Sequence, residues 1–193
     1  MCRFILASGS PRRRELLNQI GISHEVIPSD VDESMTETEP AQVVEELSRR
    51  KALDVAGKIQ AQTQTIILGA DTVVTLDGEI LGKPTDTEKA FEMLHSLQGR
   101  KHTVYTGVTI VSVKGNDRQV HTFHESTAVE IYPMNENEIR AYIATKDPMD
   151  KAGAYGIQGA FAAYIRGIAG DYYTVVGLPV GRLAQELKTL RYL

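Results

Sequence analysis

The spacing of apolar and polar positions predicts an alternation of strands and helices along the whole chain. Short apolar runs typical of strands cover residues 4–7, 25–28, 65–69, 72–76, 79–81, 103–113, 119–131, 160–165 and 172–176. Apolar residues three and four apart predict helices at residues 11–20 and 40–58, between residues 85 and 99, from residue 135 onward, and at 179–190. This order is typical of a mixed sheet flanked by helices, so we expect one α/β domain over residues 1–193.

Capping signals and a glycine-rich segment add local detail to this pattern. Thr85 with Glu88, and Asn135 with Glu138, have the spacing of a capping box at a helix start. Residues 146–159 contain three glycines and one proline between two regular elements. We expect this segment to be a long ordered loop, a kind that often carries function.

Composition and charge narrow the classes of function. The chain has 193 residues, of which 42% are hydrophobic and 24% are charged, with a formal net charge of −4. The net charge argues against a general nucleic-acid binder, and no apolar stretch has the length of a membrane span or a signal peptide. Cys2 is the only cysteine, so an internal disulfide is excluded, and the five histidines lack metal-ligand spacing. We therefore expect a cytoplasmic protein without nucleic acid as its main partner.

The segment from Ser8 to Arg13 combines features of an anion site. Ser10 and Pro11 suit the cap and first position of a helix that follows a short strand, and Arg12 and Arg13 come directly after them. Backbone N–H groups at a helix start, a serine hydroxyl and two guanidinium groups can together bind a polyphosphate. A capped helix with solvated basic residues explains the same pattern, and the spacing alone does not separate the two interpretations.

Four charged residues elsewhere suggest phosphate chemistry only when they are taken together. Asp71 separates two predicted strands, where an aspartate also fits a turn. Lys51 lies on an apolar helical stripe, which predicts that it points inward toward a partner, although it could also extend its ammonium to solvent. A methionine should replace this lysine without harm to the fold. Lys83 precedes a proline in a loop and Glu33 lies in an acidic run, so both also fit plain surface positions. Carboxylates for a divalent cation and cations for phosphates are what metal-assisted phosphoryl chemistry requires.

Several longer runs of the sequence resemble one known family. They are LASGSPRR at residues 6–13, GADTV at 69–73, GKP at 82–84, DKAGAYGIQG at 150–159, GDYY at 170–173 and VGLP at 176–179. In this order, over essentially the whole chain, they resemble the Maf family of nucleotide pyrophosphatases. The resemblance implies an α/β fold similar to that of the inosine triphosphate pyrophosphatases, with a cleft between two lobes, and often a homodimer.

The resemblance also implies roles for individual residues. The family's catalytic aspartate, a proton acceptor, falls on Asp71, and a carboxylate near its metal falls on Glu33. The phosphate-contacting positions of the family fall on Ser8, Arg13, Lys51 and Lys83. Its substrate-specificity positions fall on Arg12, Thr72 and Gln158. The implied cofactor is a divalent cation, Mg²⁺ or Mn²⁺, held by Asp71 together with Glu33.

Gln158 is the residue from which we predict the base of the substrate. A carboxamide can pair with both the N–H and the carbonyl on the edge of uracil or thymine, and the run at residues 150–159 resembles the dTTP/UTP branch of the family. We expect hydrolysis of dTTP and UTP, and of modified pyrimidine triphosphates, to the monophosphate and pyrophosphate. The rival hypothesis is an interaction or regulatory protein in cell division, to which the family has been linked, but no partner-binding helix or recruiting tail supports it.

Overall fold

The computed structural model describes residues 2–34 and 36–193. Its strands are β1 Arg3–Leu6, β2 Glu25–Val26, β3 Thr65–Leu76, β4 Glu79–Leu81, β5 Lys101–Lys114, β6 Asp117–Ile131 and β7 Ile165–Ala169. Its α-helices are α1 Pro11–Gln19, α2 Pro40–Lys58, α3 Thr87–Leu97, α4 Glu136–Ala144, α5 Tyr172–Val176 and α6 Val180–Thr189. Three short 3-10 helices lie at Asp147–Asp150, Ala152–Ala154 and Ala160–Tyr164.

The strands form one mixed sheet. Their order is β2-β1-β3-β5-β6-β7, and β4 pairs with β3 outside this path. β1 is parallel to both β2 and β3, whereas β4 is antiparallel to β3 and β7 is antiparallel to β6. Together with the helices, this arrangement confirms the predicted α/β class. In the described part of the chain, no helix has the length and apolar character needed to cross a membrane.

The described residues divide into two compact units. The first contains the chain up to Asp71 together with Thr106–Glu125 and Gly177–Leu193, and the second contains Thr72–Tyr105 and Ser126–Val176. The core of the first unit is built where α2 packs on the parallel strands. Its buried apolar residues are Ile5, Ala7, Ala52, Val55, Ala56, Ala61, Ile67, Val111 and Val113.

Helix α2 lies unusually close to the sheet because two glycines face it. A Cβ atom on Gly69 of β3 would clash with the carbonyl of Ser48 and lie 2.8 Å from the backbone nitrogen of Ala52. A Cβ atom on Gly107 of β5 would clash with the carbonyl of Val44 in the same way. Real Cβ atoms avoid such distances, so only glycine permits the helix backbone to rest on these two strands.

An aromatic cluster forms part of the core of the second unit. Phe161 is fully buried, and its ring centroid lies 4.9 Å from those of both Tyr142 and Tyr155. Tyr155 in turn contacts His102 of β5, with ring centroids 5.4 Å apart in an edge-to-face arrangement. The cluster joins α4, β5 and the glycine-rich segment that follows α4. That segment is ordered, as predicted, and contains two 3-10 helices.

Local signals at several helix ends are confirmed. α2 begins at Pro40 and ends at Lys58, as its periodicity predicts. Asn135 and Glu138 form the predicted capping box, with each side chain bonded to the other residue's backbone nitrogen at 3.0 and 2.8 Å. Ser10 occupies the cap position of α1, but its side chain makes no capping hydrogen bond.

Two predictions near Asp71 and α3 are wrong. β3 runs without a break from Thr65 to Leu76, so Asp71 lies inside one strand and does not separate two. Asp86, not Thr85, is the N-cap of α3, and its carboxylate accepts a hydrogen bond from the backbone nitrogen of Lys89 at 2.8 Å. Aspartate caps a helix at least as well as threonine does, so the neighbour displaces the predicted cap.

Two predicted strands near the C-terminus are also corrected. Residues 160–164 form a 3-10 helix that buries Phe161, and the strand begins only at Ile165. Residues 172–176 form α5, because the carboxylate of Asp171 accepts hydrogen bonds from the backbone nitrogen of Thr174 at 2.7 Å and from its hydroxyl at 2.9 Å. This cap outweighs the strand preference of the aromatic and β-branched residues that follow it.

The close approach of α2 leads to a stability prediction for Gly69→Ala. The added methyl group would meet backbone atoms of Ser48 and Ala52, which cannot rotate away. We expect the free energy of unfolding to fall by about 1–3 kcal/mol, measured by urea denaturation followed by circular dichroism. Gly57→Ala on helix α2 is the control, since a Cβ atom there meets nothing within 4 Å, and this variant should gain up to about 1 kcal/mol. An unchanged midpoint for Gly69→Ala would contradict the close packing.

Candidate functional site

Lys51 and Asp71 form a buried ion pair in the first unit. Lys51 points from α2 toward the sheet, Asp71 lies in β3, and each residue is only 8% exposed. Lys51 Nζ donates to Asp71 Oδ1 at 2.7 Å, and Glu33 Oε1 lies 2.7 Å from the same nitrogen. The Glu33 side chain remains 52% exposed. The predicted inward direction of Lys51 is therefore confirmed, and two carboxylates share its ammonium group.

The turn between β1 and α1 orients Arg13. Arg13 Nη1 donates to Ser8 Oγ at 3.1 Å, and Nε donates to the carbonyl of Gly177 at 2.8 Å. Ser8 is buried, and its hydroxyl also accepts a hydrogen bond from the backbone nitrogen of Ser10 at 3.3 Å. The Arg13 guanidinium is thereby held in one orientation by Ser8 near the N-terminus and by Gly177, where the last segment of the first unit begins.

The charge of Arg13 is coupled to the ion pair. Burial lowers the pKa of the Arg13 guanidinium, the negative charges of Asp71 and Glu33 act to raise it, and the positive charge of Arg12 lowers it. Arginine nevertheless stays protonated at neutral pH. The first unit thus brings cations and carboxylates into one interacting group, which includes Ser8 through its bond to Arg13.

A surface pocket of about 240 Å³ opens beside this group. It is lined by Ser8, Gly9, Ser10, Pro11, Arg14 and Val26. The start of α1 directs backbone N–H groups and the positive end of its dipole toward this region, which favours an anion. The anion site predicted from the sequence ends at Arg13, and the structure adds Arg14, which follows Arg12 and Arg13 directly in the chain.

The second unit holds the other predicted site residues. Lys83 is exposed in the turn between β4 and α3, and Gln158 is exposed in the glycine-rich segment. The backbone nitrogen of Gly153 donates to the carbonyl of Gly82 at 3.0 Å, which ties that segment to the turn carrying Lys83. Gly153 has a φ of +67°, and a Cβ atom there would lie 2.9 Å from the side chain of Val74. Glycine alone adopts this positive φ without strain and also fits against Val74.

The structure therefore brings only some of the predicted residues together. Ser8, Arg13, Glu33, Lys51 and Asp71 interact within the first unit. Arg12 is half-buried in the first turn of α1, and Thr72 follows Asp71 directly along β3. Lys83 and Gln158 lie on segments that are bonded to each other within the second unit.

The carboxylates of Asp71 and Glu33 could serve as ligands for a divalent cation. Across residues 2–34 and 36–193, no group of three or more histidine, cysteine, aspartate or glutamate side chains is placed to hold a metal ion. Asp71 and Glu33 nevertheless supply hard oxygen donors, one from each residue lying 2.7 Å from Lys51 Nζ. Mg²⁺ commonly binds one or two protein carboxylates and takes its other ligands from water and substrate phosphates. The two residues fit that mode of binding.

The sequence model of one family, described as Maf-like protein, matches residues 3–190. The chain belongs to the Maf family. Its relatives include proteins named dTTP/UTP pyrophosphatase. One from Agathobacter rectalis is 51% identical, and the match covers 98% of each chain. Another, from Pelotomaculum thermopropionicum, is 48% identical, and the match covers all of this chain and 98% of the relative.

Solved structures of more distant proteins are also similar to this Maf-family chain. The Ham1 protein of Staphylococcus aureus is 19% identical, with a TM-score of 0.44, and the match covers 79% of this chain and 85% of that one. A nucleoside-triphosphatase named dITP/XTP pyrophosphatase, from Mycobacterium abscessus, is 13% identical, with a TM-score of 0.39, and the match covers 69% and 76% of the two chains.

The buried pair changes the expectation for Lys51→Met. From sequence alone the substitution should be tolerated, but it would leave the carboxylate of Asp71 buried without its ammonium partner. We expect a loss of about 3–5 kcal/mol in the free energy of unfolding, measured by urea denaturation. The double variant Lys51→Met with Asp71→Asn should recover most of that loss, because it removes the unpaired charge.

Lys89→Met is the control for Lys51→Met. Lys89 pairs with Glu92 at 2.8 Å, but both side chains are more than half exposed. Its loss should cost less than about 1 kcal/mol. Equal losses in the free energy of unfolding for the two methionine variants would contradict the view that burial makes the Lys51 pair more important for stability.

Proposed function

We propose that this Maf-family protein hydrolyses dTTP and UTP to the monophosphate and pyrophosphate, with modified pyrimidine triphosphates as further substrates. The observation that carries the proposal is the buried group in which Lys51 Nζ lies 2.7 Å from carboxylate oxygens of both Asp71 and Glu33. This group contains the acid–base and charge-stabilising side chains that hydrolysis of a phosphoanhydride requires. The names of relatives that share about half of its residues support the choice of substrate.

Asp71 is the proposed proton acceptor. A water molecule attacks the α-phosphorus and gives its proton to the Asp71 carboxylate, while the bond between the α-phosphorus and the bridging oxygen breaks and pyrophosphate leaves. The Lys51 ammonium holds Asp71 Oδ1 in place at 2.7 Å, so that the second carboxylate oxygen has a defined direction. The low exposure of Lys51 and Asp71 keeps bulk water away from the ion pair and strengthens the electric field around the pair.

Asp71 and Glu33 are the residues that would hold the expected divalent cation, Mg²⁺ or Mn²⁺. When bound, such a cation offsets phosphate charge and makes water more acidic. Ser8, Arg13, Lys51 and Lys83 are the proposed phosphate contacts. The orientation of Arg13 by Ser8 and Gly177 supports its part in this set, because a guanidinium binds phosphate best with its planar fork already aligned.

Gln158 is the proposed reader of the base, with Arg12 and Thr72 as further specificity residues. Its exposure leaves the carboxamide accessible to a ligand, and an amide can both donate to and accept from a pyrimidine edge. Residues 1–193 are proposed to act as one functional domain, and the protein is proposed to act as a homodimer in the cytoplasm. The family match over residues 3–190 supports the first of these points.

The test of the proposed function is a product assay with Asp71→Asn as the variant. Purified protein with Mg²⁺ should convert dTTP and UTP to the monophosphate and pyrophosphate, resolved by chromatography. Asp71→Asn should lower the rate by about 10²- to 10⁴-fold, because an amide cannot accept the proton. Formation of a diphosphate and orthophosphate would overturn the mechanism.

Asp77→Asn is the matched control for that variant. Asp77 follows the same strand at the hairpin turn, with a φ of 54°, a conformation that asparagine also adopts readily. Its exposed carboxylate bonds to Arg100, so the change removes an aspartate charge without touching the buried pair. The control should keep the wild-type rate, and a folded Asp71→Asn variant with that same rate would refute the assignment of the base.

Gln158→Glu tests the reading of the base. The change removes both amide donors, so a thymine or uracil carbonyl would face a carboxylate, and kcat/KM for dTTP and UTP should fall by about 5- to 150-fold. GTP presents donors on the corresponding edge and should lose less. Gln185→Glu makes the same charge change on the exposed face of α6 and should leave the ratio unchanged. A parallel loss on all three nucleotides would mean that Gln158 does not read the base.

A further inference from the structure

His102 is a buried histidine that the proposed mechanism does not use. It lies on β5 and is 4% exposed. Its Nε2 atom lies 2.7 Å from the hydroxyl of Tyr155, which is three residues before Gln158 in the same segment. Tyr155 is also buried, so the hydrogen bond is shielded from water. The pair links the sheet of the second unit directly to the segment that carries the proposed base reader.

The local environment does not favour a histidine at position 102. Its Nδ1 atom is buried, and within the described residues it has no hydrogen-bond partner. Burial also lowers the pKa of His102 to about 4, so the imidazole is neutral at physiological pH. Burying a polar nitrogen without a partner is costly, and an apolar side chain would avoid that cost. The bond to Tyr155 is the interaction that requires a hydrogen-bonding side chain at this position.

Side-chain hydrogen bonds hold the beginning of this segment, whereas its end is held by backbone hydrogen bonds from Gly159 to the carbonyl of Gly156 at 3.4 Å and from Ala162 to the carbonyl of Gly159 at 3.0 Å. The hydroxyl of Tyr142 donates to Asp147 Oδ2 at 2.6 Å, and Lys151 Nζ bonds to the carbonyl of Asp147 at 2.6 Å. Gly156 has one side-chain anchor, a hydrogen bond from its backbone nitrogen to the Tyr142 hydroxyl at 3.2 Å. Gln158 itself is exposed. Two buried aromatic residues thus flank Gln158 at three positions' distance, Tyr155 before it and Phe161 after it, and only Tyr155 carries a hydroxyl that can bond to His102.

We propose that His102 is a positioning residue for base recognition, which acts through its hydrogen bond to Tyr155. The bond orders residues 152–159 before substrate arrives, so that binding does not bear the entropic cost of ordering them. Loss of the bond therefore weakens binding of the base and leaves the chemical step at Asp71 unchanged. The inference rests on the proposed function, since it concerns the same substrates.

The experiment compares four variants of the 193-residue protein. Tyr155→Phe removes only the hydroxyl, His102→Leu removes the imidazole, and His102→Gln keeps a side-chain donor and acceptor at that position. Thr127→Val is the matched control, because it deletes another buried side-chain hydrogen bond of the second unit, from Thr127 Oγ1 to the carbonyl of Asp171. For each protein, kcat and KM are measured with dTTP and UTP, and amide hydrogen exchange is measured for peptides covering residues 152–159.

If His102 positions the segment, its loss should raise KM without changing kcat. Tyr155→Phe and His102→Leu should raise KM by about 3- to 10-fold, keep kcat within about twofold, and speed exchange in residues 152–159. His102→Gln and Thr127→Val should keep the wild-type KM. If His102→Leu does not fold, Tyr155→Phe is sufficient for the test, because that variant leaves the packing of the aromatic rings intact.

Several results would overturn the inference. They are an unchanged KM in folded Tyr155→Phe, with or without faster exchange; a fall in kcat alone; a failure of His102→Gln to restore KM; and an equal rise in KM for Thr127→Val. If the wild type hydrolyses neither nucleotide, the proposed function fails by itself. In that case, faster exchange in Tyr155→Phe still supports the ordering of the segment by His102, and unchanged exchange refutes it.

Discussion

The ammonium group of Lys51 is the point on which the first unit's site depends. A buried charge is costly unless it is paired, and Lys51 meets this demand with two carboxylates at 2.7 Å. Arg13, whose charge is coupled to both carboxylates, adds a second cation. The group thus holds two formal positive and two formal negative charges. A polyphosphate that arrives beside it adds negative charge, which explains why a divalent cation would accompany the substrate.

The position of this ammonium is set by the backbone rather than by the lysine itself. Helix α2 can approach β3 and β5 closely because Gly69 and Gly107 present no side chains to it. The hydroxyl of Ser48 bonds to that of Thr109 at 2.9 Å, which fastens the same face of the helix to β5. A helix one side chain farther away would leave the ammonium short of Asp71. Two glycines that take no part in the proposed chemistry therefore control the geometry of the proposed proton acceptor.

The two units meet different physical demands. Proton transfer and charge stabilisation benefit from low exposure, and the first unit keeps Lys51 and Asp71 almost fully buried. Recognition of a base requires an accessible hydrogen-bonding edge, and the second unit leaves Gln158 exposed. An exposed group on a loop is useful only if its backbone is ordered. The buried ring cluster of Tyr142, Tyr155 and Phe161 supplies that order, with His102 at its side.

The sequence by itself determined the features that depend on local interactions. The bounds of α2, the capping box at Asn135 and the inward direction of Lys51 follow from residues within a few positions of each other, and the structure confirms them. The motifs also identified the family. They named the candidate site residues as well, whose roles stay predictions.

Only the tertiary structure decided which distant residues meet. Glu33 and Asp71 share one ammonium group, and His102 reaches Tyr155, although nothing in the spacing of these residues indicates either contact. Residues 65–76 form one strand because a lysine from α2 pairs with the aspartate inside it. Residues 160–164 leave the predicted strand because burial of Phe161 among aromatic rings outweighs local preference. In each case the deciding energy comes from packing or charge pairing between segments that are far apart in the chain, which no local pattern records.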